Sequence, residues 1–236
     1  MRRIAEGRGR KASPSPPRAV FFDLDGTLHD RAATIRGWLA GHVARHALPD
    51  GYAARFTELD NFGYRPKREV LPGLVRELGL PHDPEVLLAD FGEHSLAAPV
   101  PMPHAHDVLR ELRARGIRIG VVTNGWVEAQ TACLERTGLT PLVDDVVISK
   151  GVGLSKPDPA IYRLALARLG VDAADAWFVG DSPRNDVWGP QQVGLRAAYL
   201  PTGHALNGET PDAVLRDLRD VLRLLASGKP TLTAES

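Results

Sequence analysis

The sequence predicts an α/β fold: a doubly wound parallel sheet with an inserted α-helical cap. Three observations lead there. From His104 onward, short apolar runs alternate with helical stretches closed by glycines. A further apolar run, Ala19-Val20-Phe21-Phe22, stands alone far upstream. The block between them, residues 31–100, is helical in pattern and contains no convincing strand. Strands separated by helices of about 10–15 residues pair in parallel. The helical block therefore reads as an insertion after the first strand, leaving one core assembled from residues 19–30 and 101–228.

Taken in order, residues 1–18 carry six basic side chains against one acid and end in Ser13-Pro14-Ser15-Pro16-Pro17. Lacking apolar periodicity, they read as a disordered basic tail. Ala19 to Phe22 is a buried parallel strand by its continuous apolarity. Turn signals at Pro49-Asp50-Gly51, Gly63, Pro66, Pro72-Gly73 and Pro81 divide the cap into helices. His106 to Arg115 is a helix closed by Gly116. Ile117 to Thr123 is a strand, Trp126 to Thr137 a helix closed by Gly138, and Asp145 to Ser149 a strand. Asp158 caps a helix with Pro159 at its first position and Gly170 past its end. Ala176 to Val179 is a strand, Pro183 to Val193 a helix, Ala197 to Leu200 a strand and Pro211 to Ala226 a closing helix. Residues 229–236 form a short C-terminal tail.

The composition is that of an ordinary globular protein, with 236 residues, 43% hydrophobic and 25% charged. Lys and Arg total 29, as do Asp and Glu, which argues against a basic nucleic-acid binder and an acidic disordered chain. The tail's excess of five positive charges leaves the other 218 residues at minus five. A single cysteine, Cys133, rules out an internal disulfide and a thiolate metal cluster, and it fits a reducing compartment. Arg2-Arg3 is followed by no apolar segment of an export signal, and no run approaches the roughly 20 apolar residues of a membrane span. A soluble cytoplasmic protein is expected, a monomer or homodimer with no nucleic-acid or membrane partner.

In open α/β sheets, ligands bind beyond the carboxyl ends of the strands. The first predicted strand runs into Asp23-Leu24-Asp25-Gly26, the second into Thr123-Asn124-Gly125. The third leads to Lys156, and the fourth to Gly180-Asp181-Ser182 and Asp186. Four carboxylates, a hydroxyl, an amide and a lysine thus converge on one edge. This set suits phosphoryl transfer to water. One aspartate of the Asp23/Asp25 pair can attack phosphorus while the other moves the proton. Crowding of like charge is expected to keep a proton on Asp25 and leave Asp23 ionised. Asp181 and Asp186 add hard oxygen ligands suited to Mg²⁺. Lys156 would neutralise phosphoryl oxygens, and Thr123 and Asn124 would hydrogen-bond them.

With those residues in place, the chain resembles the haloacid dehalogenase superfamily of phosphatases over roughly residues 19–200. Asp23-Leu24-Asp25-Gly26-Thr27-Leu28 matches the first family motif and Thr123-Asn124-Gly125 the second. Lys156-Pro157 matches the third, and Gly180-Asp181-Ser182-Pro183-Arg184-Asn185-Asp186 the fourth. The resemblance implies a nucleophilic Asp23 that also binds Mg²⁺, and a general acid/base Asp25 that offers the metal its backbone carbonyl. It implies phosphate binding by Thr123, Asn124 and Lys156, and metal binding by Asp181 and Asp186. It further implies a cap that closes over a small phosphorylated metabolite. Asp25 argues against the dehalogenases and phosphonate hydrolases of the superfamily, which lack an acid there. A sugar-phosphate mutase and a non-catalytic phosphometabolite-binding module remain as alternatives.

Other polar and aromatic residues have plainer readings. Asp158 is an N-cap and Asp186 also suits a helix's first turn. His104 and His106 lie at a helix start, two apart and so on different faces. Cys133, Trp126 and Trp188 are expected to pack internally. Arg36, Trp38 and the Arg65-Pro66-Lys67-Arg68 cluster are the cap's candidates for facing the substrate.

Overall fold

The architecture is taken from a computed structural model, which describes residues 17–227. Strand β1 (Ala19–Phe22) is wholly buried, and its side chains alternate between two cores. Val20 and Phe22 join Val108, Leu109 and Leu112, whereas Ala19 and Phe21 join Ile161, Tyr162 and Phe178. This is the period of two expected when helices cover both faces of a sheet.

The chain then leaves the sheet to build four helices, α1 (Arg31–Arg45), α2 (Tyr52–Asp60), α3 (Lys67–Glu77) and α4 (Pro84–His94). Asp30 starts α1 by accepting the Ala33 N–H at 2.8 Å, and Asp83 starts α4 with Pro84 in the first turn. These helices enclose a separate hydrophobic cluster that includes Trp38, Tyr52, Phe56, Leu71, Leu74 and Leu87. Trp38 is part of that cluster, and its indole N–H donates to buried Asp90 at 3.0 Å, so it does not face a substrate.

The chain re-enters the core through α5 (Ala105–Ala114), β2 (Arg118–Thr123), α6 (Val127–Arg136), β3 (Asp145–Ile148), the single turn α7 (Ser149–Val152), α8 (Pro159–Leu169) and β4 (Ala176–Gly180). A π-helical turn (Pro183–Trp188) runs into α9 (Gly189–Gln191), followed by β5 (Arg196–Tyr199), β6 (Ala213–Val214) and α10 (Asp220–Ser227). The strand order is β3-β2-β1-β4-β5-β6, with every pairing parallel. Strand order reverses between β1 and β4, where a ligand crevice opens in doubly wound sheets. Phe22 pairs level with Val121 and with Val179, so Asp23, Thr123 and Asp181 emerge from neighbouring strand ends. Among the described residues, no helix is long and apolar enough to cross a membrane.

Three expectations need correction. The closing helix predicted from Pro211 starts only at Asp220, because Ala213–Val214 pairs with β5 as a sixth strand. Asp212 pins its entrance by accepting the Ala197 N–H at 2.8 Å. Apolar residues at 215, 218, 221 and 225 continue a helical spacing through that strand, which concealed it. The helix predicted over 183–193 is present but wound as a π-helical turn over 183–188 that continues, through helical Trp188 and Gly189, into a short α-turn ending at Gln191. The predicted tail boundary also moves: Arg18 already donates its backbone N–H to Asp175 at 2.7 Å, and Pro17 is buried. Residues 1–16 and the 229–236 tail lie outside the described residues.

Candidate active site

The β1 strand ends by delivering Asp23, whose N–H donates to the Val179 carbonyl at 2.9 Å. Leu24 turns into the apolar core and Asp25 points back to the crevice. Gly26 has φ +82°, and a Cβ there would run into the Asp181 carboxylate. The turn therefore needs both the left-handed backbone and the missing side chain.

Lys156 is the charge centre. Its side chain is 2% exposed, and Nζ lies 2.7 Å from Asp23 Oδ1 and 2.7 Å from Asp186 Oδ1. The flanking negative charges outweigh burial and hold the ammonium above the usual lysine range. The Asp186 Oδ2 accepts the Ser182 N–H at 2.9 Å, so both of its oxygens are engaged. Asp181 differs: its side chain has no hydrogen-bond or ion-pair partner among the described residues, although it is only 9% exposed. Asp23, Asp181 and Asp186 each present an oxygen within 4.8 Å of the others.

The protein's own charges leave this cluster too negative. Burial, reinforced by the Asp186 and Asp25 charges against the pull of Lys156, pushes Asp23 up to about 7. Burial and the charges of Asp23 and Asp186 push Asp181 up to about 9. Three buried carboxylates facing one ammonium, one of them unpartnered, fit a hard divalent cation that prefers oxygen ligands.

Asp25 contradicts the proton placement expected from crowding. Burial would raise it, but the hydrogen bond and charge of His29 hold it down at about 2. His29 Nδ1 is 2.6 Å from Asp25 Oδ1, and Gln130 Nε2 donates to Asp25 Oδ2 at 3.0 Å. The proton therefore favours the more deeply buried Asp23, because a partner invisible in the Asp-Leu-Asp spacing stabilises Asp25 as an anion.

The remaining predicted residues fall around this centre. Thr123 is buried at the end of β2 and its hydroxyl accepts from Gln130 at 3.1 Å. The Asn124 side chain is taken up elsewhere: Nδ2 donates to the Lys156 carbonyl at 2.9 Å and Oδ1 accepts the Lys156 N–H at 2.9 Å. The Asn124 side-chain amide thus clamps the lysine's backbone, since an amide matches a peptide donor–acceptor pair, and a phosphate-binding role for this residue falls to its backbone N–H.

Sequence reasoning missed His29, Gln130 and Tyr64. Gln130 was hidden in an amphipathic helix, but His29 stands in an otherwise apolar turn four residues after Asp25, which is a legible signal. Tyr64 comes from the loop after α2; its hydroxyl lies 2.5 Å from Ser182 Oγ and accepts from Asn185 Nδ2 at 3.1 Å. Asn61 and Phe62 beside it adopt left-handed φ of 46° and 55°, unusual for a bulky residue such as Phe62.

A cavity of about 780 Å³ extends from Asp25 and Asp181 to the inner side of the helical insertion. In its lining Arg31 pairs with Asp60 at 2.6 Å, Glu58 pairs with Arg55 at 2.6 Å, and Asp30 caps α1. Arg36 also lines it, exposed and without an ion pair among the described residues. Of the basic cluster, Lys67 joins Asp60, while Arg65 and Arg68 are exposed. Trp126 is 67% exposed beneath the Lys150 ammonium rather than packed, and Trp188 is half-buried with the Arg184 guanidinium over its ring. His106 accepts no metal-like company: its Nε2 meets the Thr137 carbonyl at 2.8 Å. Cys133 is buried, and that burial pushes its thiol up.

Comparison with known proteins gives a consistent picture. The family described as haloacid dehalogenase-like hydrolase matches residues 17–194. Glyceraldehyde 3-phosphate phosphatase of Pyrococcus abyssi is 30% identical over 200 residues, covering 79% of this chain and 82% of that one. Phosphoglycolate phosphatase 1 of Pseudomonas aeruginosa is 30% identical over 215 residues, covering 87% of this chain and 79% of that one. Among solved structures, the magnesium-bound HAD-hydrolase YfnB of Bacillus subtilis superposes with a TM-score of 0.79 at 21% identity, covering 90% of this chain and all of that one.

Proposed function

Since this chain belongs to the haloacid dehalogenase-like hydrolase family, we propose that it is a Mg²⁺-dependent phosphomonoesterase acting on a small phosphorylated metabolite through an aspartyl phosphate on Asp23. The observation that carries this reading is the Lys156 ammonium held between Asp23 and Asp186 beside the unpartnered carboxylate of Asp181. Relatives named as phosphatases of different small phosphate esters support the reaction class without selecting one substrate.

Asp23, Asp181 and Asp186 would hold the Mg²⁺, with the Asp25 backbone carbonyl as a further oxygen. When bound, the ion offsets carboxylate charge and draws density from the phosphoryl oxygens. Lys156 binds those oxygens from the other side, with the Thr123 hydroxyl at the end of β2. An Asp23 carboxylate oxygen attacks phosphorus as the bond to the ester oxygen breaks, and the Asp25 carboxyl gives that oxygen its proton. With carboxylate charge offset at Asp23 and the ester's negative charge entering beside Asp25, the proton preference of the two carboxyls is reversed, leaving Asp23 ionised and Asp25 protonated. Asp25, now a carboxylate, takes a proton from water while the water oxygen attacks phosphorus. The bond to Asp23 then breaks and inorganic phosphate leaves.

The leaving group occupies the cavity under the cap, where Arg36 offers a cation to a second anionic group of the substrate. The test is hydrolysis of p-nitrophenyl phosphate with Mg²⁺ by the wild type and by Asp23→Asn. Asp23→Asn is expected to lose all measurable turnover, and persisting metal-dependent hydrolysis in a clean preparation would sink the assignment. Phosphate release from a panel of sugar phosphates separates this reading from a mutase, which returns its phosphate to the sugar.

A further inference from the structure

We propose that His29 is a positioning residue for proton transfer by Asp25 and ties that carboxyl to the hinge of the cap. The inference rests on the reading of Asp25 as the general acid/base. His29 is 1% exposed and uses both ring nitrogens. Nδ1 meets Asp25 Oδ1 at 2.6 Å and Nε2 meets Thr34 Oγ1 at 2.7 Å. The Thr34 hydroxyl donates to the Asp30 carbonyl at 3.0 Å and accepts the Val100 N–H at 2.9 Å. With its proton committed to Asp30, Thr34 presents only a lone pair to His29, so Nε2 carries a hydrogen; Nδ1 then accepts from the Asp25 carboxyl or, with a second hydrogen on the ring, donates to the Asp25 carboxylate.

These partners lie where the chain crosses between core and cap. His29 bridges Pro101 in antiparallel fashion, the Asp30 N–H donates to Val100 at 2.8 Å, and the Met102 N–H donates to Leu28 at 2.8 Å. The outgoing and returning linkers thus run side by side, and Thr34 on α1 is hydrogen-bonded to both. On its other oxygen, Asp25 is held by Gln130 of α6, a core helix. The carboxyl is suspended between the core, through Gln130, and the hinge, through His29. A carboxyl that must first face the leaving oxygen and then a water needs such fixed orientation, since proton transfer requires hydrogen-bond geometry.

The experiment measures kcat/KM of the full chain with Mg²⁺ along a series of monoesters from p-nitrophenyl phosphate to simple alkyl phosphates. An alkoxide needs a proton to leave and p-nitrophenolate scarcely does. His29→Phe is expected to lower kcat/KM on alkyl esters about 30-fold, part of the roughly 10²–10⁴ that general acid catalysis supplies, and only a few-fold on the aryl ester. His29→Asn, whose amide can accept from the Asp25 carboxyl or donate to its carboxylate where Nδ1 stood, is expected to recover most of the loss. In an Asp25→Asn background, His29→Phe is expected to add nothing on the alkyl esters. Thr34→Val, nearly isosteric, carries the same test should His29→Phe fail to fold, with a smaller loss again confined to alkyl esters. Equal losses across the series, no recovery by asparagine, or additivity with Asp25→Asn would each overturn the role of His29. Absence of hydrolysis of any ester by the wild type would instead overturn the phosphatase reading, and this inference with it.

Discussion

Replacing Asp181 with asparagine should stabilise the metal-free protein while destroying its activity. The Asp181 carboxyl is 9% exposed, lies against Gly26 and Gly203, and has no hydrogen-bond or ion-pair partner among the described residues. Burial and the charges of Asp23 and Asp186 push it up to about 9. A carboxyl whose native pKa lies above its unfolded value of about 3.9 binds more protons when folded, so stability falls as pH rises between the two values. At pH 7 the interval above the unfolded pKa, at about 1.36 kcal/mol per unit, sets a ceiling of about 4 kcal/mol. Asp23 shares the same repulsion and relieves part of it by taking a proton of its own, which leaves about 2 kcal/mol for Asp181→Asn to recover. For a chain of this size that is a rise of about 4–8 °C in Tm. The assay is thermal unfolding in EDTA from pH 4 to 8.5, repeated with Mg²⁺. The gain should grow with pH to its maximum at pH 8.5 and vanish near pH 4, and Mg²⁺ should stabilise the wild type but not the variant. A variant no more stable than wild type at pH 8, or equally stabilised by Mg²⁺, would refute the account of Asp181 as a carboxylate held for a cation.

Three other substitutions probe separate parts of the molecule. Lys156→Met should reduce p-nitrophenyl phosphate hydrolysis by more than about 10²-fold, because it removes a buried cation aimed at the transferring oxygens; steady-state kinetics check this. In the cap, Asp90 accepts from Trp38, His42 and Arg45, whose hydrogen bonds outweigh its burial and hold it well below the usual carboxylate range. Burial holds His42 below the usual imidazole range. Both groups make the unfolded chain the better proton acceptor, so stability should decline below about pH 6.5 as His42 is protonated on unfolding, and again below about pH 4 as Asp90 follows. Asp90→Asn should cost about 2 kcal/mol at pH 7 by urea unfolding, since it strands a buried donor set. Arg36→Gln should raise KM at least several-fold for substrates with a carboxylate or second phosphate and leave KM for an uncharged alkyl phosphate nearly unchanged.

The strand ends were legible because a parallel sheet forces polar residues onto one edge, and the convergence of Asp23, Thr123 and Asp181 follows from apolar runs and their spacing, whereas Lys156 and Asp186, in loops farther from their strands, stood out by their place in the order of motifs. The electrostatics were not legible. Whether Asp23 or Asp25 holds the proton depends on His29, whose contact is made by a turn rather than by a periodic element. Asn124 was read as a ligand from its place after β2, yet its amide matches the peptide of Lys156 brought beside it by the fold. The two-residue β6 was lost because a residue pair has no periodicity, and apolar neighbours at helical spacing covered it. Trp126 was expected to pack against the sheet, although its position at the N-cap of α6 leaves it open to solvent.

The central claim is that a covalent bond forms between substrate phosphorus and Asp23. Acid quenching of wild-type turnover, followed by borohydride reduction and peptide mass spectrometry, measures it directly. The account predicts homoserine at position 23, dependent on both substrate and Mg²⁺. An unmodified aspartate at position 23 during active turnover, or a reduced carboxyl at any other residue, would contradict it.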